Sequence, residues 1–262
     1  MLLENKNAVI YGGGGDIGAG VARTYAREGA RVFLAGRTRA RLEAVARDIK
    51  DTGGNADVAV LDALDESAVE AHLDAVVAQA GSIDISFNLT TRGDRQGTPL
   101  VEMSPADFIG PITTGATTNF ITARAAARHM IKRRSGVILA IDSGSAHGSP
   151  LMGATGPADA LLDTFIRNLA VEIGPHGVRA LGIWTSGVED AVSPAKLIAV
   201  NPAFQVDEAT FRGVLEHLSS VRALRRSPRV AQVAATAAFL ASDHAAAITG
   251  TFVNVTSGTF PS

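Results

Sequence analysis

From residue 7 onward the chain alternates short β-branched or apolar runs with helical patterns, and this alternation leaves few folds open. NAVIY (7–11) precedes a helix from about Asp16 to Glu28, in which Ile17, Val21 and Tyr25 recur four residues apart. ARVFLA (30–35) leads into a charged helix over 37–51, and ADVAVL (56–61) into one whose Val69, Leu73, Val76, Val77 and Ala80 share a face. IDISFN (83–88) and GVILAID (136–142) read as the fourth and fifth strands, GPHGVRALGIW as the run into the sixth, and TGTFVNV (249–255) as the seventh. Repeated strand–helix units imply an α/β fold: a doubly wound parallel sheet with helices on both faces. Hydrophobic residues make up 46% of 262, enough for one large core, and no repeat or linker divides the chain. A single domain over 1–262 is the expectation.

The longer helical segments fall in the second half. An Ala-rich helix is predicted over 115–134, with a shorter, separate helix after Ser104-Pro105. Leu161, Phe165, Leu169 and Ile173 stripe another helix, and 231–240 is a late one. Residues 185–228 lack strong periodicity and contain Pro194 and Pro202. Connections this long are usually functional, so the segment reads as a substrate lid with one short helix near 207–218.

Several function classes are excluded early. A net charge of −2 gives no electrostatic footprint for nucleic acid or an anionic membrane. With no cysteine there is no thiol nucleophile or thiolate metal site. The six histidines lack paired-ligand spacing, so no metal is expected. The N-terminus does not read as a signal peptide, and no run is apolar enough to span a bilayer; a cytoplasmic protein is the default. Ser143, His147 and Asp159 resemble a hydrolase triad only in composition, since the strand–GxSxG–helix elbow is missing. Arg222, Arg225, Arg226 and Arg229 read as a solvated or interfacial patch.

The turn between the first strand and first helix is VIYGGGGDIGAG (9–20). A glycine-rich turn there lets backbone N–H groups and a helix N-terminus face a pyrophosphate. GRTRAR follows the second strand, LDALDE the third and NLTT the fourth, and AFLASDHAAAITGTFVNVTSG lies near the C-terminus. Over essentially its whole length the chain resembles the short-chain dehydrogenase/reductase family. The resemblance implies a Rossmann sheet of seven strands in the order 3-2-1-4-5-6-7, a nicotinamide dinucleotide, a small-molecule substrate, and a homotetramer or homodimer packed through the helices near 115–134 and 155–174. The family's TGxxxGxG loop falls on Tyr11 to Gly18, so Gly12, Gly15, Asp16, Ile17 and Gly18 are the expected phosphate-binding positions. Gly12 and Gly18 match the pattern; Tyr11 and Asp16 depart from it. Asp62, with Ala63 beside it, matches the adenine-contacting position, and Asn88 the first residue of NNAG.

Two residues bear on the cofactor. Arg37 follows the second strand, with Gly36 where an NAD enzyme of this family carries an acid. Arg37, with Arg39 or Arg41, suits a ribose 2′-phosphate, which favours NADP(H) over NAD(H). Asp16 works against phosphate: at about 5 Å and an effective dielectric of about 20 a carboxylate costs on the order of 3 kcal/mol. Turned back as a helix cap, where capping and the dipole return roughly 1–2 kcal/mol, it is tolerable, and that is the expectation.

The catalytic positions are where the resemblance breaks. The family's reaction uses a tyrosine as proton donor or acceptor, a lysine four residues later, a serine after the fifth strand and an asparagine from the long helix. These positions fall on Thr155, Asp159, Ser143 and Gly115, and only Ser143 matches. The chain's tyrosines are Tyr11 and Tyr25, its lysines Lys6, Lys50, Lys132 and Lys196, and no small shift in alignment brings them into place. The PG after the sixth strand is changed to Thr185-Ser186. What remains is Ser143, Ser145, His147, Thr155 and Asp159, with Asp159 as an acceptor for ribose hydroxyls and His147 as a proton carrier. Trp184, Phe204 and Phe211 are candidates for an apolar lining.

Three readings follow. One is an NADP(H)-dependent oxidoreductase with a non-standard site, suited to a substrate needing little acid assistance such as an iminium or an activated alkene. The others are a non-redox enzyme on the same scaffold, a cyclase or isomerase, and a catalytically inactive nucleotide-binding or oligomeric scaffold. The first ranks highest, because hydride transfer requires chiefly a bound nicotinamide and a positioned acceptor.

Overall fold

In the computed structural model, which describes residues 1–260, seven parallel strands form one sheet in the order β3-β2-β1-β4-β5-β6-β7, as expected. They are β1 (Asn7–Tyr11), β2 (Arg31–Gly36), β3 (Asn55–Val60), β4 (Ile85–Asn88), β5 (Gly136–Asp142), β6 (Val178–Trp184) and β7 (Phe252–Asn254). Between them run α1 (Asp16–Arg27), α2 (Arg39–Asp51), α3 (Glu66–Ala80), α4 (Pro105–Arg133), α5 (Thr155–Ile173), α6 (Pro194–Val200), α7 (Glu208–Ser220) and α8 (Val230–Ala241). Strands such as β1 and β4 are buried on both faces because helices cover both. One core joins the sheet to α1, α2 and α8, the other to α3, α4 and α5. The order reverses direction between β1 and β4, the switch point at which the strand ends open a crevice.

Three expectations needed correction. The long helix is not preceded by a separate one: α4 is continuous from Pro105, with Ser104 Oγ capping the N–H of Asp107 at 3.1 Å and Pro111 inside. Pro111 costs the helix one bond, to the carbonyl of Asp107, and that residue is exposed, so water can satisfy it. On α5 the buried face is Ala158, Leu162, Ile166, Ala170 and Ile173, one step round from the predicted stripe. Of the predicted stripe Ile173 is buried, Phe165 and Leu169 pack half-buried against the core and Leu161 is exposed; Phe165 also meets the exposed Phe120 of α4 edge to face, ring centroids 6.2 Å apart. Third, 185–228 holds two helices rather than one. Pro194 opens α6 at a position where the missing N–H costs nothing, and Asp207 Oδ1 caps α7 through Thr210 N at 2.7 Å.

Arg222 also differs from its expected place on the surface. It is 1% exposed, and its guanidinium donates to the carbonyls of Thr256, Leu218 and Ser186 and to Ser227 Oγ. It thus ties the C-terminal end of α7 to the turn after β6.

Candidate active site

A cavity of about 210 Å³ opens at the C-terminal ends of β1, β2 and β3. Gly12, Gly14 and Gly15 form one side, Asp62, Ala63 and Leu64 another, and Arg37, Thr38 and Arg41 the outer rim. The glycines are sterically required. Gly12 has φ +75°, and a Cβ there would lie 2.5 Å from the carbonyl oxygen of Leu89; a Cβ on Gly18 would lie 2.2 Å from that of Gly12. Asp62 Oδ1 accepts the N–H of Leu64 at 3.0 Å, which fixes the turn beside the cavity. Arg39 pairs with Glu43, whereas Arg37 and Arg41 make no ion pair among the described residues. The residues present therefore suit a dinucleotide: glycine backbone on one side, and at Arg37 and Arg41 two cations without an ion pair among the described residues.

Not all the expected cofactor positions meet there. Gly12, Gly15, Arg37, Asp62 and Ala63 line the cavity. Gly18 and Ile17 support the loop from within α1, and Ile17 packs on the core. Asn88 is buried: its Oδ1 accepts from Thr90 N and Oγ1 at 3.0 and 2.7 Å, and its Nδ2 donates to Thr122 Oγ1 at 3.3 Å. Thr90, Thr91, Thr114 and Thr118 line the inner end instead.

Asp16 is not the cap. Gly15 holds the N-cap position without a side-chain bond, and Asp16 is the first helical residue. Its carboxylate pairs with Lys196 of α6, whose ammonium also donates to the carbonyl of Ala191 at 2.5 Å. The negative charge in the glycine loop is thus neutralised by a lysine 180 residues away.

The second half of the site is built around Asp159, which is fully buried. Its Oδ2 accepts from Ser143 Oγ and from the backbone N–H groups of Ser143 and Ser145 at 3.2 and 2.9 Å. Its Oδ1 lies 2.7 Å from the guanidinium of Arg92, an ion pair off the hydrogen-bond axis. Asp159 therefore holds the loop after β5 through Oδ2, while Oδ1, sealed from solvent beside Arg92, has no hydrogen-bond partner among the described residues. Arg92 is also paired with Asp94 at 2.9 Å; although burial opposes it, Asp159 and Asp94 hold its pKa above the usual arginine value. Its side chain lies over Gly115, where a Cβ would come within 3.2 Å of Arg92 Cδ. The glycine at the asparagine position makes room for the arginine.

Thr155 is buried at the start of α5, with its Oγ1 accepting from Gln96 Nε2 at 3.4 Å. His147 is exposed and turned away: its ring packs edge-on against Trp184, centroids 5.0 Å apart, and faces Phe260. Trp184 donates its indole N–H to Asp163 Oδ1 at 3.0 Å. Tyr25 is in the core, donating to the carbonyl of Ala237, and Tyr11 is buried in the cavity wall; burial raises the pKa of both phenols. Asp142 ends β5 with Oδ1 accepting from Gly144 N at 2.9 Å and Oδ2 sealed from solvent without a partner. Burial first, then the negative charges of Asp159 and Asp163, push its pKa up to about 9, so it is protonated at neutral pH.

A family model described as enoyl-(acyl carrier protein) reductase matches residues 14–259. The chain belongs to the short-chain dehydrogenase/reductase family. It is thus an oxidoreductase of a family that uses NAD(P)(H). This short-chain dehydrogenase/reductase is 28% identical over 263 residues to the 3-oxoacyl-[acyl-carrier-protein] reductase of Chlamydia muridarum, covering 98% of each chain. It is 29% identical over 266 residues to an L-rhamnose 1-dehydrogenase (NAD(P)(+)) of Azotobacter vinelandii, covering 99% of this chain and 98% of the other. Its fold matches that of an NAD+-bound xylitol dehydrogenase with a TM-score of 0.87 at 23% identity, covering 98% and 100%. Among the described residues, no helix of this short-chain dehydrogenase/reductase is long and apolar enough to cross a membrane, and no group of three or more metal-ligating side chains occurs.

Sequence reasoning missed Arg92, Lys196 and Asp142. A signal existed for the first: a buried aspartate needs a cation, and Arg92 directly follows NLTT. Lys196 carried none, since nothing local connects residue 196 to residue 16.

Proposed function

We propose that this chain is an NADP(H)-dependent oxidoreductase with a non-standard active site, acting on a small organic substrate. The observation that carries the reading is the rim of the nucleotide cavity, where Arg37 and Arg41 stand without acidic partners. Gly36 favours it too: a Cβ there meets nothing closer than Leu42 at 3.6 Å, so a 2′-hydroxyl-binding acid would fit and none is present. Bound, the nicotinamide supplies the hydride chemistry; this chain's residues hold the nucleotide by its adenosine end and position the substrate at Ser143. Residues 185–228 act as the lid, within one domain over 1–262, and the Asp16–Lys196 pair closes that lid against the glycine loop. The exposed apolar surface of Phe120 and Leu161 on α4 and α5 supports a homodimer or homotetramer, and the protein works in the cytoplasm.

Calorimetric titration with NADPH and NADH tests the reading. NADPH is expected to bind more tightly, and Arg37→Asp to reverse the preference by on the order of 1–3 kcal/mol, the worth of a charged hydrogen bond. Equal binding of the two nucleotides by the unaltered protein would refute the role of Arg37.

A further inference from the structure

The direction of one hydrogen decides what the site can receive. A carboxylate only accepts, so the Ser143 hydroxyl must donate its hydrogen to Asp159 Oδ2. Ser145 Oγ lies 2.7 Å from Ser143 Oγ and is itself buried. With Ser143's single hydrogen committed, Ser145 is the donor of that bond. Half-buried Ser143 therefore turns only a lone pair outward. A neutral carbonyl would meet it acceptor to acceptor.

No neighbouring group supplies the missing proton. Thr155 is a buried alcohol, and His147 is turned onto Trp184. Asp142 Oδ2 and Asp159 Oδ1 are both sealed from solvent, and Asp159 Oδ2 accepts from the loop after β5. Nor is there a base for oxidising an alcohol. The charge balance points the same way: the Arg92 guanidinium is in contact with two carboxylates, Asp94 and Asp159. One cation against two anions leaves this wall with an excess negative charge.

We propose that the site takes a protonated imine, or in reverse the corresponding amine, with Ser143 accepting its N–H and with Asp159 and Arg92 as positioning residues. This rests on the oxidoreductase reading above. In the reduction, the reduced nicotinamide dinucleotide gives a hydride to the imine carbon, and the C=N π pair becomes the nitrogen lone pair. The cofactor is oxidised, the iminium becomes a neutral amine, and no proton moves in the step. An iminium carries its own positive charge, so its reduction needs no proton from Ser143 or its neighbours.

The test compares rings of one size: pyrroline against cyclopentanone as substrates with NADPH, and pyrrolidinium against cyclopentanol as ligands by calorimetry in the presence of the oxidised cofactor. Pyrroline should be reduced and cyclopentanone not. Pyrrolidinium should bind roughly tenfold or more tightly than cyclopentanol, the worth of a charged hydrogen bond. That preference should collapse in Ser143→Ala, and in Asp159→Asn if the variant folds, while NADPH affinity is retained in Ser143→Ala. A purely structural role for the loop would weaken both ring ligands alike and leave the ratio unchanged, which overturns the proposal. So does reduction of the ketone as fast as the imine, or no imine reduction, by protein that binds NADPH. Failure to bind any nicotinamide nucleotide instead overturns the oxidoreductase reading, and this inference with it.

Discussion

Replacing Asp142 with asparagine should make the protein more stable, and increasingly so as the pH rises. Asp142 is 6% exposed, faces Asp159 and Asp163, and has Arg92 as the nearby compensating cation. Its pKa is raised from 3.8 to about 9. A carboxyl whose folded pKa lies above its unfolded one contributes most below pH 3.8, and that contribution is lost as the pH rises toward 9. Over this window the native state holds a proton that the unfolded state has released, so stability falls by about 1.4 kcal/mol per pH unit. From pH 3.8 to pH 7 is about three pH units, or on the order of 4 kcal/mol. Asparagine keeps an oxygen for Gly144 N and has nothing to ionise. Urea denaturation of both proteins at matched concentration, at intervals between pH 5.5 and 8.5, gives the difference directly. The curves should diverge by roughly 1 kcal/mol or more per pH unit and converge near pH 4. A difference independent of pH would refute the reasoning, because it would mean that Asp142 is ionised in the folded protein.

Three further outcomes are expected. Asp16→Gly should strengthen NADPH binding by less than about 1 kcal/mol, measured by calorimetry, because the charge it removes is already paired and exposed; a gain near 3 kcal/mol would mean that Lys196 does not shield the phosphates. The double change Thr155→Tyr with Asp159→Lys should not install ketone reduction and should destabilise the fold by about 3–5 kcal/mol in urea, since the lysine would face Arg92 and the N–H groups of Ser143 and Ser145 would lose their acceptor. Arg222→Ala should lose about 1–3 kcal/mol of local stability by leaving buried carbonyls unpaired, read as faster hydrogen exchange over 186–224 with the sheet unchanged.

The alternation of strands and helices and the glycine turn were legible in the chain because they rest on local signals, while the strand order came from the resemblance to the family. Apolar runs, helical spacing and a glycine turn report on residues near one another in sequence, and β1 to β7 fell within a few residues of their expected bounds. That neither a tyrosine nor a lysine occurs in 143–160 is read directly from the chain. α4 running through Pro111 is not, because the cost of a proline depends on whether the orphaned carbonyl can reach water.

The site was decided by contacts between residues far apart in the chain. Asp16 reads as a helix cap until Lys196, 180 residues on, folds over it. Asp159 reads as an open acceptor until Arg92 pairs with it across Gly115 and the loop after β5 takes its Oδ2. Arg222 reads as surface charge until the distant carbonyls of Thr256 and Ser186 close over it. A charged side chain acts through its partner and its distance from water, and both are properties of the packed structure. The sequence by itself determined the layers and the cleft between them; the tertiary structure decided which charges in that cleft are free, and so what chemistry is left to it.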